Sequence, residues 1–356
     1  MKKRMIFPLL ALLAVAGLFM AACEPTQPQI STTEPSSSVE GPPNTQTSGT
    51  ESSTEPQIPT DTETSGPPVD PTQPDPMVCH MDIPYGAHPL QTMDIYIPEG
   101  SPDARYPVVL TVHGGEWSSG DKSEAAQYTA TVIAAQCIHV SINYRLLYNG
   151  IPRDAERPYE IMLDDIGAAF DFLAQNADMY QIDTEKAGIA GYSSGGHLAL
   201  LYAFTRTASA IPVHFVVSEA GPANFMDPKT FTEDGETWIH EGHNAHEDIE
   251  VWPNMPRDYR LVLIGDITGT QYGKPGWEEA WSNASPAHVV TASSPKTYLF
   301  YGSHDAMVPI SHAELLMQNH PDCSLYEVFG AAHHLYSDPG DLQRFRSWLR
   351  EILENF

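Results

Sequence analysis

The chain has 356 residues, with 46 acidic and 18 basic side chains and a formal net charge of −28. A field of that sign repels nucleic acid and strongly anionic substrates, and it leaves neutral ones compatible. The stretch after residue 76, about 280 residues, is long enough for one large core and has no length left for a second domain.

The elements begin with a leader. Lys2, Lys3 and Arg4 precede an apolar run from Met5 to Ala16 and small residues ending at Cys23, so residues 1–22 read as an export signal and not as fold. Met20-Ala21-Ala22-Cys23 resembles the lipobox of bacterial lipoproteins, in which the cysteine is lipidated and becomes the new N-terminus. A lipidated Cys23 implies an exported chain held on the extracellular face of the cell membrane without a transmembrane helix. Residues 23–76 are rich in Pro, Ser, Thr, Gln and acidic residues and contain no Lys or Arg. Such a segment buries too little apolar surface to offset its ordering entropy, which predicts a disordered acidic stalk. Once the signal and the stalk are set aside, residues 77–356 hold 37 acids against 15 bases.

From Val108 onward strands alternate with helical patterns, the signature of an α/β fold with a mostly parallel sheet covered on both faces. The first strand is Pro107 to Val112, and His113-Gly114-Gly115-Glu116-Trp117 follows it directly. Ile138 to Tyr144 is the next, with Cys137 at its start as a buried, inert thiol. Met162, Leu163, Ile166, Ala169, Phe170 and Leu173 then recur at helical spacing and should face the sheet. Lys186 to Ala190 reads as a strand and His197 to Leu201 as a helix, and between them lies Gly191-Tyr192-Ser193-Ser194-Gly195. A turn this sharp leaves no room for β-carbons at Gly191 and Gly195, and it lifts Ser193 Oγ to where a base can reach it.

Residues 224–282 interrupt the rhythm and carry Trp238, Trp252, Trp277 and Trp281. They read as a lid over the rim after the nucleophile half of the chain, with tryptophans that either pack or stack on sugars. His240, His243 and His246 recur at three-residue spacing, but no cysteine is near, so they read as a solvated acidic loop and no metal site is assigned. Thr297 to Tyr301 and Leu325 to Val328 are further strands. Asp305 falls on the loop after the first of them and His333 on the loop after the second. Ser311 with Glu314 suggests a capping box, and Asp338-Pro339 opens a last helix whose Leu342, Phe345, Leu349 and Ile352 face inward.

A serine hydroxyl is a poor nucleophile at neutral pH, and it needs an imidazole to take its proton and a carboxylate to orient that imidazole. Ser193, Asp305 and His333 occur in the chain order that an elbow serine requires. His334 is the rival base; Gly330 and the small Ala331 and Ala332 suit a tight loop around His333. A developing oxyanion needs backbone N–H donors. The amide of Ser194 supplies one, and those of Gly115 and Glu116 the others, with Gly114 shaping the turn. This chemistry calls for no cofactor.

Over residues 80–356 the sequence resembles the alpha/beta-hydrolase superfamily, in the esterase and lipase branch related to hormone-sensitive lipase. The likeness rests on His113-Gly114-Gly115-x-Trp117, Gly120-Asp121-Lys122, Asn143-Tyr144-Arg145-Leu146, Asp165, Gly191-x-Ser193-x-Gly195-Gly196, Ser285-Pro286, Asp305-x-x-Val308-Pro309 and His333. It implies a serine carboxylic-ester hydrolase working through an acyl-enzyme on small esters or an acylated polysaccharide. Members with His-Gly-Gly-x-Trp include carbohydrate esterases that remove acetyl or feruloyl groups from plant polysaccharide, and also kynurenine formamidases. An amide-cleaving hydrolase and a surface binding protein on the same scaffold are therefore the alternatives. Glu116 stands where the lipase branch commonly has a third glycine, and Tyr192 where an acidic residue or His often precedes the nucleophile. Asp165 is expected to bond the loop behind Arg145. A disulfide between Cys79 and Cys323 is chemically allowed by export.

Overall fold

The computed structural model describes residues 76–227, 257–336 and 338–356. The expected signal, Cys23 and all of the stalk but its last residue lie outside them, as do Trp238, Trp252, His240, His243 and His246.

Among the described residues eight strands form one sheet: β1 (Met77–Pro84), β2 (Thr92–Pro98), β3 (Tyr106–Val112), β4 (Ile138–Ile142), β5 (Ile182–Tyr192), β6 (Val213–Glu219), β7 (Lys296–Gly302) and β8 (Cys323–Val328). Their spatial order is β1-β2-β4-β3-β5-β6-β7-β8. β1 pairs antiparallel with β2 and β2 with β4, and every later pairing is parallel. β3 is buried at six of its seven positions and β4 at all five, because both faces of these inner strands are covered. Successive residues point to opposite faces. Leu110, Ile189, Val216 and Leu299 pack on one side with Met162, Ile166 and Phe170 of α2 (Pro158–Gln175) and Leu198 of α3 (Ser194–Thr205). Their chain neighbours Val109, Ala190, Val217 and Phe300 pack on the other side. Their partners there are Tyr128 and Val132 of α1 (Ala126–Ala134) and Phe345 and Leu349 of a helix described below.

The expected helical face of α2 is buried at all six positions from Met162 to Leu173. Beyond β6 come α4 (Arg257–Thr268), α5 (Trp277–Asn283), α6 (Pro286–Val289), α7 (Ser311–Asn319) and α8 (Pro339–Glu354). Asp338 caps α8 by accepting the Gly340 amide at 2.6 Å, and Phe345, Leu349 and Ile352 face the core. No helix among the described residues is long and apolar enough to cross a membrane.

Three expectations are corrected. Ser311 does not form a capping box: it is the first residue of α7, and its hydroxyl donates instead to Asp227 Oδ2 at 2.7 Å. Ile138 to Tyr144 is extended only as far as Ile142. Cys79 and Cys323 do not pair, because β1 and β8 are the opposite edges of the sheet. Seven strand spacings of about 4.8 Å separate them, whereas a disulfide tolerates a Cα separation of about 7 Å at most. Cys323 and Cys137 are free thiols, each pushed up to about 12 by burial.

Candidate active site

The elbow is the junction of β5 and α3. Ser193 sits between them at φ 53° and ψ −123°, a backbone that L-residues rarely adopt. Close packing makes the turn possible. A β-carbon on Gly191 would lie 2.3 Å from the carbonyl oxygen of Gly195, and one on Gly195 would lie 2.1 Å from that of Val112. The Ser193 amide donates to the carbonyl of Glu219 at the end of β6 (2.8 Å), and its carbonyl accepts the His197 amide (3.0 Å). Ser194, the first residue of α3, has an amide in the first helical turn, where the N–H groups have no intrahelical acceptor.

Asp305 and His333 meet Ser193 on the same rim. His333 Nε2 stands 2.9 Å from Ser193 Oγ, and His333 Nδ1 stands 2.8 Å from Asp305 Oδ2. The other carboxylate oxygen, Oδ1, accepts the amides of Met307 (2.8 Å) and Val308 (2.9 Å), so the carboxyl both caps a turn and faces the imidazole. All three side chains are buried. The two loops that carry the acid and the base are pressed together: a β-carbon on Gly302 would lie 2.2 Å from the carbonyl oxygen of Ala331. The His304 amide donates to that same oxygen at 2.9 Å. Facing a carboxylate, Nδ1 carries the hydrogen, and Nε2 is left as the acceptor for the serine proton. His334 is turned away, with its Nδ1 3.1 Å from the Tyr192 hydroxyl.

The loop after β3 lies directly against the serine. A β-carbon on Gly114 would be 3.3 Å from Ser193 Cβ and 3.0 Å from Tyr192, so this glycine permits a close approach. Gly115 has φ 107°, and Glu116 and Trp117 follow at 54° and 57°. Two consecutive left-handed residues with side chains are costly, on the order of 1–3 kcal/mol each, and surrounding structure must hold them. Trp117 does so. Its indole N–H donates to His197 Nδ1 at 3.2 Å, His197 Nε2 donates to the carbonyl of Ala284 at 2.8 Å, and the Trp117 carbonyl accepts the Leu147 amide at 2.8 Å. Burial lowers His197 to about 4, which keeps its Nδ1 lone pair available to the indole. Neither the tie through His197 nor the position of Tyr192 was anticipated. Their only signals were a histidine four residues after the serine and an unusual residue before it.

Further residues resolve as well. Asp165 Oδ2 accepts the Arg145 amide at 2.8 Å, its Oδ1 accepts Gln91 Nε2 at 2.8 Å, and the Arg145 guanidinium closes on both oxygens, which fixes the segment behind Arg145. Trp281 is fully buried, with its indole N–H on the carbonyl of Thr270 at 2.8 Å, and Trp277 packs on it with ring centres 5.2 Å apart. Trp281 therefore belongs to the core and cannot stack on a sugar. Of the expected lid, residues 228–256 lie outside the described ones.

An eight-stranded, mostly parallel sheet in this order, with the elbow after the fifth strand and the acid and base on the loops after the seventh and eighth, is the α/β-hydrolase fold. Residues 93–319, well over half of the chain, match the BD-FAE family model, and the chain belongs to that family. It is similar to Esterase LipC of Mycobacterium tuberculosis, 25% identical over 264 residues, covering 70% of this chain and 58% of that protein. The probable isoprenylcysteine alpha-carbonyl methylesterase ICMEL1 of Oryza sativa subsp. japonica is 24% identical over 271 residues, covering 70% and 55%. The chain thus spans little more than half the length of these curated relatives. Among solved structures, a truncated carbohydrate esterase from gut microbiota superposes with a TM-score of 0.58 at 20% identity, over 78% of this chain and 96% of that one. A bifunctional GH43-CE protein of Bacteroides eggerthii superposes with a TM-score of 0.55 at 22% identity, over 77% of this chain and 35% of that one.

Proposed function

We propose that this protein is a serine carboxylic-ester hydrolase that works through an acyl-enzyme on short-chain esters, with acetyl or feruloyl groups on neutral plant glycans as its substrates. The observation that carries the reading is the unbroken chain of contacts Asp305–His333–Ser193, in which each donor meets an acceptor at 2.8–2.9 Å.

Each step follows from a named atom. Ser193 Oγ attacks the ester carbonyl while His333 Nε2 takes its proton, and Asp305 holds the Nδ1–H and stabilises the imidazolium. The oxyanion is met by the amide of Ser194 and by those of Gly115 and Glu116, carried by the loop that abuts Ser193. His333 returns the proton to the departing alcohol, then activates the water that releases the acid. The BD-FAE membership and the esterase names of the curated relatives support ester cleavage. The carbohydrate-esterase neighbours and an acidic domain that repels anions support a neutral glycan. Lys2 to Arg4, the apolar run and Met20-Ala21-Ala22-Cys23 support export and a lipid anchor at Cys23 on the extracellular face.

The test is a substrate panel of acetylated xylan, feruloylated arabinoxylan, short p-nitrophenyl esters and N-formylkynurenine, run with the native chain and Ser193→Ala. The expected outcome is turnover of the esters, reduced on the order of 10⁶-fold in the variant, which stays folded. Turnover of N-formylkynurenine with inert esters would overturn the ester reading. Normal ester cleavage by Ser193→Ala would overturn the mechanism.

A further inference from the structure

Tyr192 stands immediately before the serine and reaches across the rim to the loop that carries the histidine. Its hydroxyl donates to the backbone carbonyl of His333 at 3.2 Å and lies 3.1 Å from His334 Nδ1. The ring packs at 5.3 Å from the His333 ring, centre to centre, and stacks at 6.1 Å on that of His334. On its other side the ring fills the space that a β-carbon on Gly114 would need, 3.0 Å from Tyr192 Cδ1. One half-buried side chain is therefore wedged between the first and last loops of the site.

We propose that Tyr192 is a positioning residue that clamps His333 in line with Ser193, with His334 orienting the clamp. The inference rests on the proposed serine mechanism and assigns roles to two residues outside it.

The chemistry of the hydroxyl fixes the arrangement. A phenol has one hydrogen, and here it goes to the His333 carbonyl, so the 3.1 Å contact requires His334 Nδ1 to carry a hydrogen and donate to the phenol oxygen. Burial first, and Asp305 nearby second, hold the phenol far above its ordinary value, so the hydroxyl keeps its proton throughout the working range. His333 is consequently held at three points: Nδ1 by Asp305, Nε2 by Ser193 and its main chain by the residue bonded to Ser193. The third point matters most once the serine proton has moved, because the Oγ contact changes character while the main-chain contact does not. An imidazole displaced by even a fraction of an ångström loses alignment with both the oxygen it deprotonates and the alcohol it protonates. A clamp of this kind changes the rate per competent site and not substrate affinity.

The experiment uses the full chain and p-nitrophenyl acetate, with competent sites counted by end-point labelling with a fluorophosphonate. Tyr192→Phe removes one oxygen atom and keeps the ring. The expected result is a kcat per labelled site about 3- to 10-fold lower, the equivalent of one hydrogen bond, with KM within about twofold. His334→Ala is expected to lower kcat per site about twofold in the native background and to have no further effect in Tyr192→Phe, since the two act through one hydroxyl. A purely structural tyrosine would reduce the number of labelled sites and leave the rate of each unchanged; that result overturns the clamp. Should Tyr192→Phe fail to fold, His334→Ala decides alone, and an unchanged rate per site overturns the clamp. A native chain that neither labels nor turns over would remove the serine mechanism and the clamp together, whereas an active native chain with an unaffected Tyr192→Phe removes only the clamp.

Discussion

The elbow and the loop after β3 solve the same problem in different ways. Both hold side-chain-bearing residues at positive φ beside the reacting atoms, Ser193 at 53° in one, Glu116 and Trp117 at 54° and 57° in the other. The elbow is held by backbone packed on backbone, with Gly191 and Gly195 admitting carbonyls where a β-carbon would sit. The loop is held by a side chain, the Trp117 indole on His197, itself tied to Ala284. Backbone packing has no soft component, so the elbow should tolerate no change, whereas the loop should lose precision by degrees.

The largest effect is expected where the elbow is tightest. Gly195→Ala drives a β-carbon to within 2.1 Å and 2.5 Å of the Val112 and His113 carbonyl oxygens. The expected cost is about 3 kcal/mol or more, read as a fall in Tm of about 6 °C or more together with loss of esterase activity. An active, fully stable variant would show that the elbow has slack. The next effect separates the two devices. His197→Leu removes the acceptor of the Trp117 indole and the donor to Ala284 while leaving the elbow glycines intact, so kcat should fall about 10- to 100-fold with KM little changed. An unchanged kcat would mean that the loop supports itself.

A third effect, confined to stability and its pH dependence, concerns the residue whose carbonyl anchors the Ser193 amide. Glu219 is fully buried at the end of β6, the Tyr128 hydroxyl donates to its Oε1, and Tyr336 of the segment after His333 lies beside it. Burial pushes its carboxyl up to about 8, partly offset by the Tyr336 hydroxyl. The folded chain therefore keeps a proton that the unfolded chain releases above its ordinary value of 4.5. The stability from the neutral carboxyl is whole below that pH and is lost as pH rises to about 8, with a slope of about 1.4 kcal/mol per pH unit. Denaturant unfolding between pH 5 and 8 should show this slope in the native chain and lose it in Glu219→Gln. Parallel profiles for the two would place the proton elsewhere.

What was legible in the sequence follows the same division. The elbow could be read because glycines at fixed offsets from a serine record a steric demand, and Asp305 and His333 could be read because each follows an apolar strand in the required order. The α2 face and the Asp338 cap were legible for similar reasons, since period and capping chemistry are local. Contacts between distant side chains leave no such record. Nothing in the spacing of Trp117 and His197 announces their bond, and Ser311 matched a capping pattern while its hydroxyl was committed to Asp227. The disulfide expectation failed because cysteine count carries no information on which strands become the edges of the sheet. The edge strand β1 was missed because it is largely exposed and polar-interrupted and so shows no apolar run, whereas β2 was missed although Met93, Ile95 and Ile97 alternate at the strand period and are buried.

The central claim is that Ser193 Oγ is a nucleophile activated through His333. The direct measurement is mass mapping of the site that a fluorophosphonate modifies in the native chain, in His333→Ala and in Ser193→Ala. The account predicts one adduct, on the peptide containing Ser193, formed far more slowly in His333→Ala and absent in Ser193→Ala. An adduct on another residue, or an unlabelled native chain, would contradict it.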